Sequence, residues 1–451
     1  MPVSLLFHVA VLLAGVAGAL LRVLTRSRAP ARTVLLWPRL DDPAEACEQL
    51  WRSHYYLPEF EVLFWLGPAV QTLDCERPPH VGAIEPSAQP RGALRGRTAF
   101  FRAFWRICRH GGRLLIWRKP RHVWRELILV VLRRVCGAEI VDRHHNRGSG
   151  WLYLGFRARL VGHACDIRSS RDRFFAYLDG LAEHEKSYIF GTGPSLALAD
   201  NLDFSDGYRI VCNTIVKDPA LLRRLRPQFV TACDGIYHFG YSAFACRFRA
   251  DLARLLADQE DIAFVYPSEF DELVCREFGA YRARCLPIPA AGPGEARWNM
   301  NLRAAFCLPP LSNVLSMMLL PLASTLGQTV YLLGFDGRAP ADRFFWSYSD
   351  RHAYVDLLPS LHEAHPAFFA KVDYKAYMRV QMGDAIERLF AKGEAAGIRY
   401  VPMTPSFSAA IARRWRAGWY SERAGAEQPI LAEWEQTFLK RRAEAEAARE
   451  P

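Results

Sequence analysis

The sequence lacks the short signatures that assign a chemistry at once. Its 11 cysteines stand singly, from Cys47 to Cys307, with no CxxC pair among them. Single thiols in odd number speak against a zinc ribbon and a disulfide framework, and read as small apolar residues of a reduced, intracellular protein. His362 and His365 in "HEAH" are three residues apart, where a zincin helix needs four. No Asp-x-Asp is present, so no metal and no cofactor are expected. No Gly-Lys-Ser/Thr closes a glycine loop, and no Gly-x-Ser-x-Gly elbow offers a nucleophile. Internal repeats are absent as well.

What is present is bulk and a charge confined to one region. The 451 residues are 51% hydrophobic, enough for two or three packed domains and too apolar for wholesale disorder. Between Arg95 and Arg147, 14 Lys/Arg stand against Glu126, Glu139 and Asp142, an excess equal to the +11 of the whole chain. Trp105, Trp117 and Trp124 are interleaved with them. Such a face fits anionic lipid headgroups, and equally a solvated surface over an ordinary core. Met1 to Leu21 carries no Asp, Glu, Lys or Arg and is followed by Arg22, Arg26, Arg28 and Arg32. At about 1.5 Å per residue it matches a ~30 Å hydrocarbon core, which predicts a single-pass transmembrane anchor over 1–24 in the inner (cytoplasmic) membrane, with the rest facing the cytoplasm. A cleaved signal peptide would want basic residues before the apolar run, and there are none. A membrane-held chain is a poor partner for nucleic acid.

Apolar strand-like runs alternate with helical spacing along the chain. "TVLLWPRL" (Thr33 to Leu40) and "EVLFWL" (Glu61 to Leu66) flank a helical stretch, and Cys75 to Arg97 reads as a loop. From Lys186 the pattern restarts with "SYIF", "YRIVCN", "FVTACD", "IAFVYP", "TVYLLGFD" and "IRYVPM". The fold expected is α/β: a small basic α/β domain over 32–150, a linker and helix over 151–185, a Rossmann-like parallel sheet domain over 186–425, and a charged helical tail over 426–451.

The stretch "SYIFGTGPSLALAD" runs from strand through glycine turn to helix. It is not a dinucleotide fingerprint, because Leu196 stands where a third glycine would. Gly191, Thr192 and Gly193 would let the backbone approach a ligand. Pro194 and Ser195 would open a helix whose free N–H groups attract an anion. Asn213, Asp234 and Asp336 each end a strand, the edge where open α/β sheets bind ligands. Asn and Asp at such ends are also ordinary turn formers. The segment after Asp336, with "FWSYSDRHAY", is too aromatic and polar for a routine connection and reads as an active-site lid or acceptor loop. Its Arg338, Arg343 and Arg351 suit a diphosphate or a carboxylate.

"GTGPSL", then "RIVCN", then "LSNVLSMMLLPLASTLGQTVYLLGFD" resemble the bacterial sialyltransferases of the Campylobacter lipooligosaccharide type. They also resemble a related superfamily of motility accessory factors and uncharacterised proteins. The likeness covers about 186–410. It implies a single Rossmann-like domain that binds a CMP-sugar as donor without metal. Gly191, Thr192, Gly193, Pro194 and Ser195 would form the nucleotide turn, Asn213 would contact the CMP part, Ser312 and Asn313 would lie near the cytidine, and Asp336 would be the aspartate of the last motif. Tyr348 and Tyr354 stand for the tyrosines that stabilise the departing phosphate. Thr192 and Asn313 depart from the family's Asn and Gly, and no His lies in "YKAYMRVQMGD", where the family carries its base. His352 and His365 are the candidates left for a proton acceptor, with His362 between them.

These readings converge on a membrane-anchored glycosyltransferase. It would pass a sialic-acid-like sugar from a CMP-sugar to a cell-surface glycan or glycolipid with inversion. Two alternatives stand beside it. One is a Mg-dependent phosphotransferase using Asp234 and Asp336. The other is a non-catalytic polysaccharide assembly factor that has lost its base.

Overall fold

A computed structural model describes residues 32–110, 112–117, 138–141, 150–292, 294–337, 350–366, 383–422 and 427–447, with Leu13, Val16, Ala17, Leu20, Leu132 and Phe369. Among the described residues the strands form two sheets, both wholly parallel. The chain divides into two compact units. The first holds 1–163, 235–246 and 359–371; the second holds 164–234, 247–358 and 372–451. The first unit is therefore not the contiguous 32–150 expected, since two later segments return to it.

In the first unit the strands β1 (Thr33–Leu40), β2 (Glu61–Leu66), β3 (Arg91–Arg95), β4 (Arg113–Ile116) and β5 (Glu139–Ile140) lie in the order β3-β2-β1-β4-β5. β3 falls inside the stretch expected to be a loop; its residues are half-buried or exposed, as suits an edge. The apolar runs Val34 to Leu36 and Val62 to Phe64 are buried on both faces, as helix-covered parallel strands require. Phe100, Phe104 and Ile107 of the helix Gly96–His110 pack on Leu35, Leu63 and Leu114.

In the second unit the strands are β6 (Lys186–Phe190), β7 (Gly207–Cys212), β8 (Phe229–Thr231), β9 (Ala263–Pro267), β10 (Cys285–Ile288), β11 (Thr329–Leu333) and β12 (Arg399–Pro402), in the order β10-β9-β8-β7-β6-β11-β12. The chain builds outward from β6 to β10, then returns to the other side of β6. The strand order thus reverses between β6 and β11, where doubly wound sheets open a crevice at their carboxyl edge. The helix Ile167–Asp179, in the stretch expected to hold a linker and a helix, belongs to this unit. Its Phe174 and Leu178 join the core with Leu315 to Leu322 and with Ile386, Leu389 and Phe390 of the helix Ala385–Ala395. Ser170 fixes it by donating to Pro287 O at 2.6 Å.

The transmembrane part of the expected fold is corrected. Among the described residues no helix is long and apolar enough to cross a membrane. A span needs about 20 consecutive apolar residues in one helix. Of the stretch expected to span, the described residues are Leu13, Val16, Ala17 and Leu20.

Candidate functional site

The second unit's strand reversal is where most of the singled-out residues meet. β6 ends at Phe190, and Gly191 to Gly193 continue alongside the turn that follows β11. Gly191 N–H donates to Leu333 O at 2.8 Å and Gly193 N–H to Gly334 O at 2.9 Å. The two turns are pressed back to back. A Cβ on Gly191 would stand 2.4 Å from Gly334 O, and one on Gly193 would stand 2.2 Å from Asp336 Oδ2. Gly334 has φ +82°, the left-handed region that glycine adopts freely. These glycines serve the mutual approach of two backbone turns. Room for a ligand is not what they provide.

The expected anion cradle is present, and it is filled from within. Pro194–Asp200 is a short 3-10 helix. Asp336 Oδ2 accepts from Ser195 N–H at 3.1 Å and from Ser195 Oγ at 3.0 Å. Ser195 Oγ in turn accepts from Gly334 N–H at 3.1 Å and lies 3.2 Å from Thr404 Oγ1, just past β12. Asp336 is 5% exposed. Burial pushes its carboxyl up to about 6, against the two Ser195 hydrogen bonds that hold it down. Its other oxygen, Oδ1, is buried with no hydrogen-bond partner among the described residues.

Two neighbouring strand ends repeat that pattern. Asn213, at φ +51°, turns the chain out of β7, and its Oδ1 is buried with no partner among the described residues. Thr231 ends β8 fully buried, with its Oγ1 in the same state. Buried polar groups without partners are uncommon in a folded chain and ask for a ligand or water. Asp234 follows β8 half-buried.

The segment Asp350 to Tyr354 is strapped to the β7 end. Thr214 Oγ1 donates to His352 O at 2.6 Å, and Lys217 Nζ donates to the carbonyls of Asp350 and Ala353. Arg351 bridges Asp200 and Asp218, two acids that follow β6 and β7. The side chain read as a ligand-neutralising arginine is thus engaged by the chain's own carboxylates. His352 is 1% exposed, with Nε2 at 3.4 Å from Asp218 Oδ2. Burial lowers its pKa, the nearby Asp218 raises it and Arg351 lowers it. The imidazole stands beside that carboxylate, and both of its ring nitrogens are buried without a hydrogen-bond partner among the described residues.

The remaining candidates lie elsewhere or do other work. Tyr354 is buried and donates to Asp251 Oδ2 at 2.7 Å, which with burial pushes its hydroxyl up. Asn313 Oδ1 accepts from Leu315 N–H at 2.8 Å and so starts the apolar helical stretch, while Ser312 is exposed. His365 is fully buried in the first unit, its ring edge-on to Tyr241 at 5.6 Å. Tyr348, Arg338 and Arg343 lie outside the described residues. The sequence reading missed Asp218 and Thr404. Asp218 precedes Pro219 and caps a helix by accepting from Leu221 N–H at 3.0 Å. That Asp-Pro pair signals a helix start and hides the second oxygen's contact with the strap.

No family model matches the chain. No curated protein matches it. Among solved structures, that of Anabaena Alr3699/HepE in complex with UDP and glucose is similar at 10% identity and a TM-score of 0.15, covering 81% of this chain and 99% of that one. A likeness that slight carries no argument about fold or activity.

Proposed function

We propose that the second unit is a glycosyltransferase domain that binds a nucleotide-activated sugar at the carboxyl edge of its sheet. The observation that carries this reading is a set of buried side-chain oxygens along the carboxyl edge of the sheet that have no hydrogen-bond partner among the described residues: Asp336 Oδ1, Asn213 Oδ1 and Thr231 Oγ1. An open α/β sheet binds its ligand there. The resemblance of "GTGPSL", "RIVCN" and "LLGFD" favours a CMP-sugar with a sialic-acid-like group as donor and a glycan or glycolipid as acceptor. His352, oriented by Asp218, takes the proton of the acceptor hydroxyl as that oxygen attacks the anomeric carbon and the nucleotide departs with inversion. The reading needs no metal.

Release of CMP from a panel of CMP-nonulosonates, in the presence of EDTA, tests it. The wild-type chain is expected to release CMP faster than a Ser195→Ala/Asn213→Ala variant. A silent panel, or release that EDTA abolishes, contradicts the reading. Loss with EDTA favours the Mg-dependent phosphotransferase.

A further inference from the structure

The glycine turn of the second unit is built like a phosphate cradle, yet a carboxylate of the same chain lies in it. Ser195 offers a backbone N–H and a hydroxyl from one turn, the two-donor arrangement that holds an anionic oxygen. Both go to Asp336 Oδ2, at 3.1 and 3.0 Å. A Cβ on Gly193 would strike that oxygen at 2.2 Å, so the carboxylate is seated hard against the turn. A ligand phosphate entering there would have to displace a buried anion or sit beside it, and like charges in a water-poor site repel strongly.

The groups that lack partners point to the opposite chemistry. Asp336 Oδ1 and Asn213 Oδ1 are oxygen acceptors, and Thr231 Oγ1 can accept as well. Asp336 and Thr231 are more than nine-tenths buried. Their strands are β11, β7 and β8, with β6 between the first two, so the acceptors line the edge over several strand spacings of about 4.8 Å. Asn213 and Thr231 also carry donors, but each of the three open oxygens can accept, and a ligand hydroxyl, which donates and accepts, can meet all of them.

We infer that this edge recognises its ligand through hydroxyl donors, such as the 2′,3′-diol of a ribose, with Asp336 Oδ1 as the principal acceptor, and that the ligand's phosphate does not occupy the Gly191 to Ser195 turn. The inference rests on the nucleotide-sugar reading and specifies which part of the nucleotide the turn serves.

Calorimetric titration of the full chain with cytidine, CMP, 2′,3′-dideoxycytidine, pyrophosphate and free N-acetylneuraminate tests it, beside the variant Asp336→Asn. Cytidine is expected to bind within a few-fold of CMP and pyrophosphate not to bind. The dideoxy compound should lose tenfold or more, because it leaves a buried acceptor unpaired. In Asp336→Asn the gap between cytidine and its dideoxy analogue should shrink. Pyrophosphate binding, or a dideoxy compound that binds as well as cytidine, overturns the inference and leaves the nucleotide reading standing. Sugar binding that Asp336→Asn weakens, with no nucleoside bound, keeps Asp336 as a hydroxyl acceptor and discards the nucleotide. Binding of no probe overturns both. Circular dichroism of the variant separates lost binding from lost folding.

Discussion

The buried carboxyl of Asp336 makes the stability of the second unit depend on pH in a defined direction. Its folded value is about 6, against an ordinary 3.8. The folded chain therefore holds this proton more tightly than the unfolded chain does. The protonated form's advantage is complete below the unfolded value and is lost as pH rises through the folded one. A rise of about two units corresponds to ~3 kcal/mol between pH 4 and pH 7.5. For a unit of this size that is roughly 6–12 °C in melting temperature. Asp336→Asn removes the titration and adds a pH-independent offset of its own. Scanning calorimetry of both proteins across that range should show the variant gaining on the wild type by about 3 kcal/mol as pH rises. The gain should build up between about pH 4 and pH 6, between the unfolded carboxyl value and the one to which burial has moved it. A difference that stays flat with pH refutes the argument that burial, rather than the Ser195 hydrogen bonds, dominates this carboxyl.

Other perturbations follow from the same geometry. Gly193→Ala places a methyl 2.2 Å from Asp336 Oδ2 and 2.7 Å from Gly334 O. Chemical denaturation should show a loss of about 1–3 kcal/mol from overpacking. Arg282 holds the fully buried Asp271 with bonds of 2.6 and 3.2 Å, and Tyr266 donates to the same carboxylate at 2.6 Å. Arg282→Met leaves that charge uncompensated and should cost about 3–5 kcal/mol, whereas Arg282→Met with Asp271→Asn should recover much of it. Arg351→Met frees the strap that carries His352, and kcat for CMP release should fall by about 100-fold with KM little changed. Arg351→Lys should restore part of it; an unchanged kcat removes Arg351 and the strap from the mechanism. His352→Ala should abolish transfer, while His365→Ala should lower the melting temperature of the first unit and leave the chemistry of the second intact, a contrast that initial rates and calorimetry read separately.

The parallel strands were legible because they are buried on both faces and read as unbroken apolar runs, as at Val34 to Leu36 and Tyr188 to Phe190. β3 and β10 were not. β3 is short and only partly buried, and β10 contains Pro287, which a reader of strand propensity discounts. The strand-end polar residues were visible as a set, but their partnerships were not. Asp336 meets Ser195 across 141 positions, and Arg351 meets Asp200 across 151. No local pattern encodes contacts of that range. For the same reason the glycine turn was read as open to a ligand, when its glycines admit a second backbone turn and a carboxylate. Unit boundaries failed through topology. Residues 235–246 and 359–371 return to the first unit from within the second, which no composition shift announces.

The proposed nucleotide-sugar site lies on the carboxyl edge of the second unit's sheet. Hydrogen–deuterium exchange with and without CMP tests it most directly, because backbone amides report the footprint whatever the acceptor. Slowed exchange is expected at Gly191 to Ser195, Asn213 to Asp218, Gly334 to Asp336 and the strap Asp350 to Tyr354. A footprint confined to the first unit, or none at saturating CMP, would contradict it.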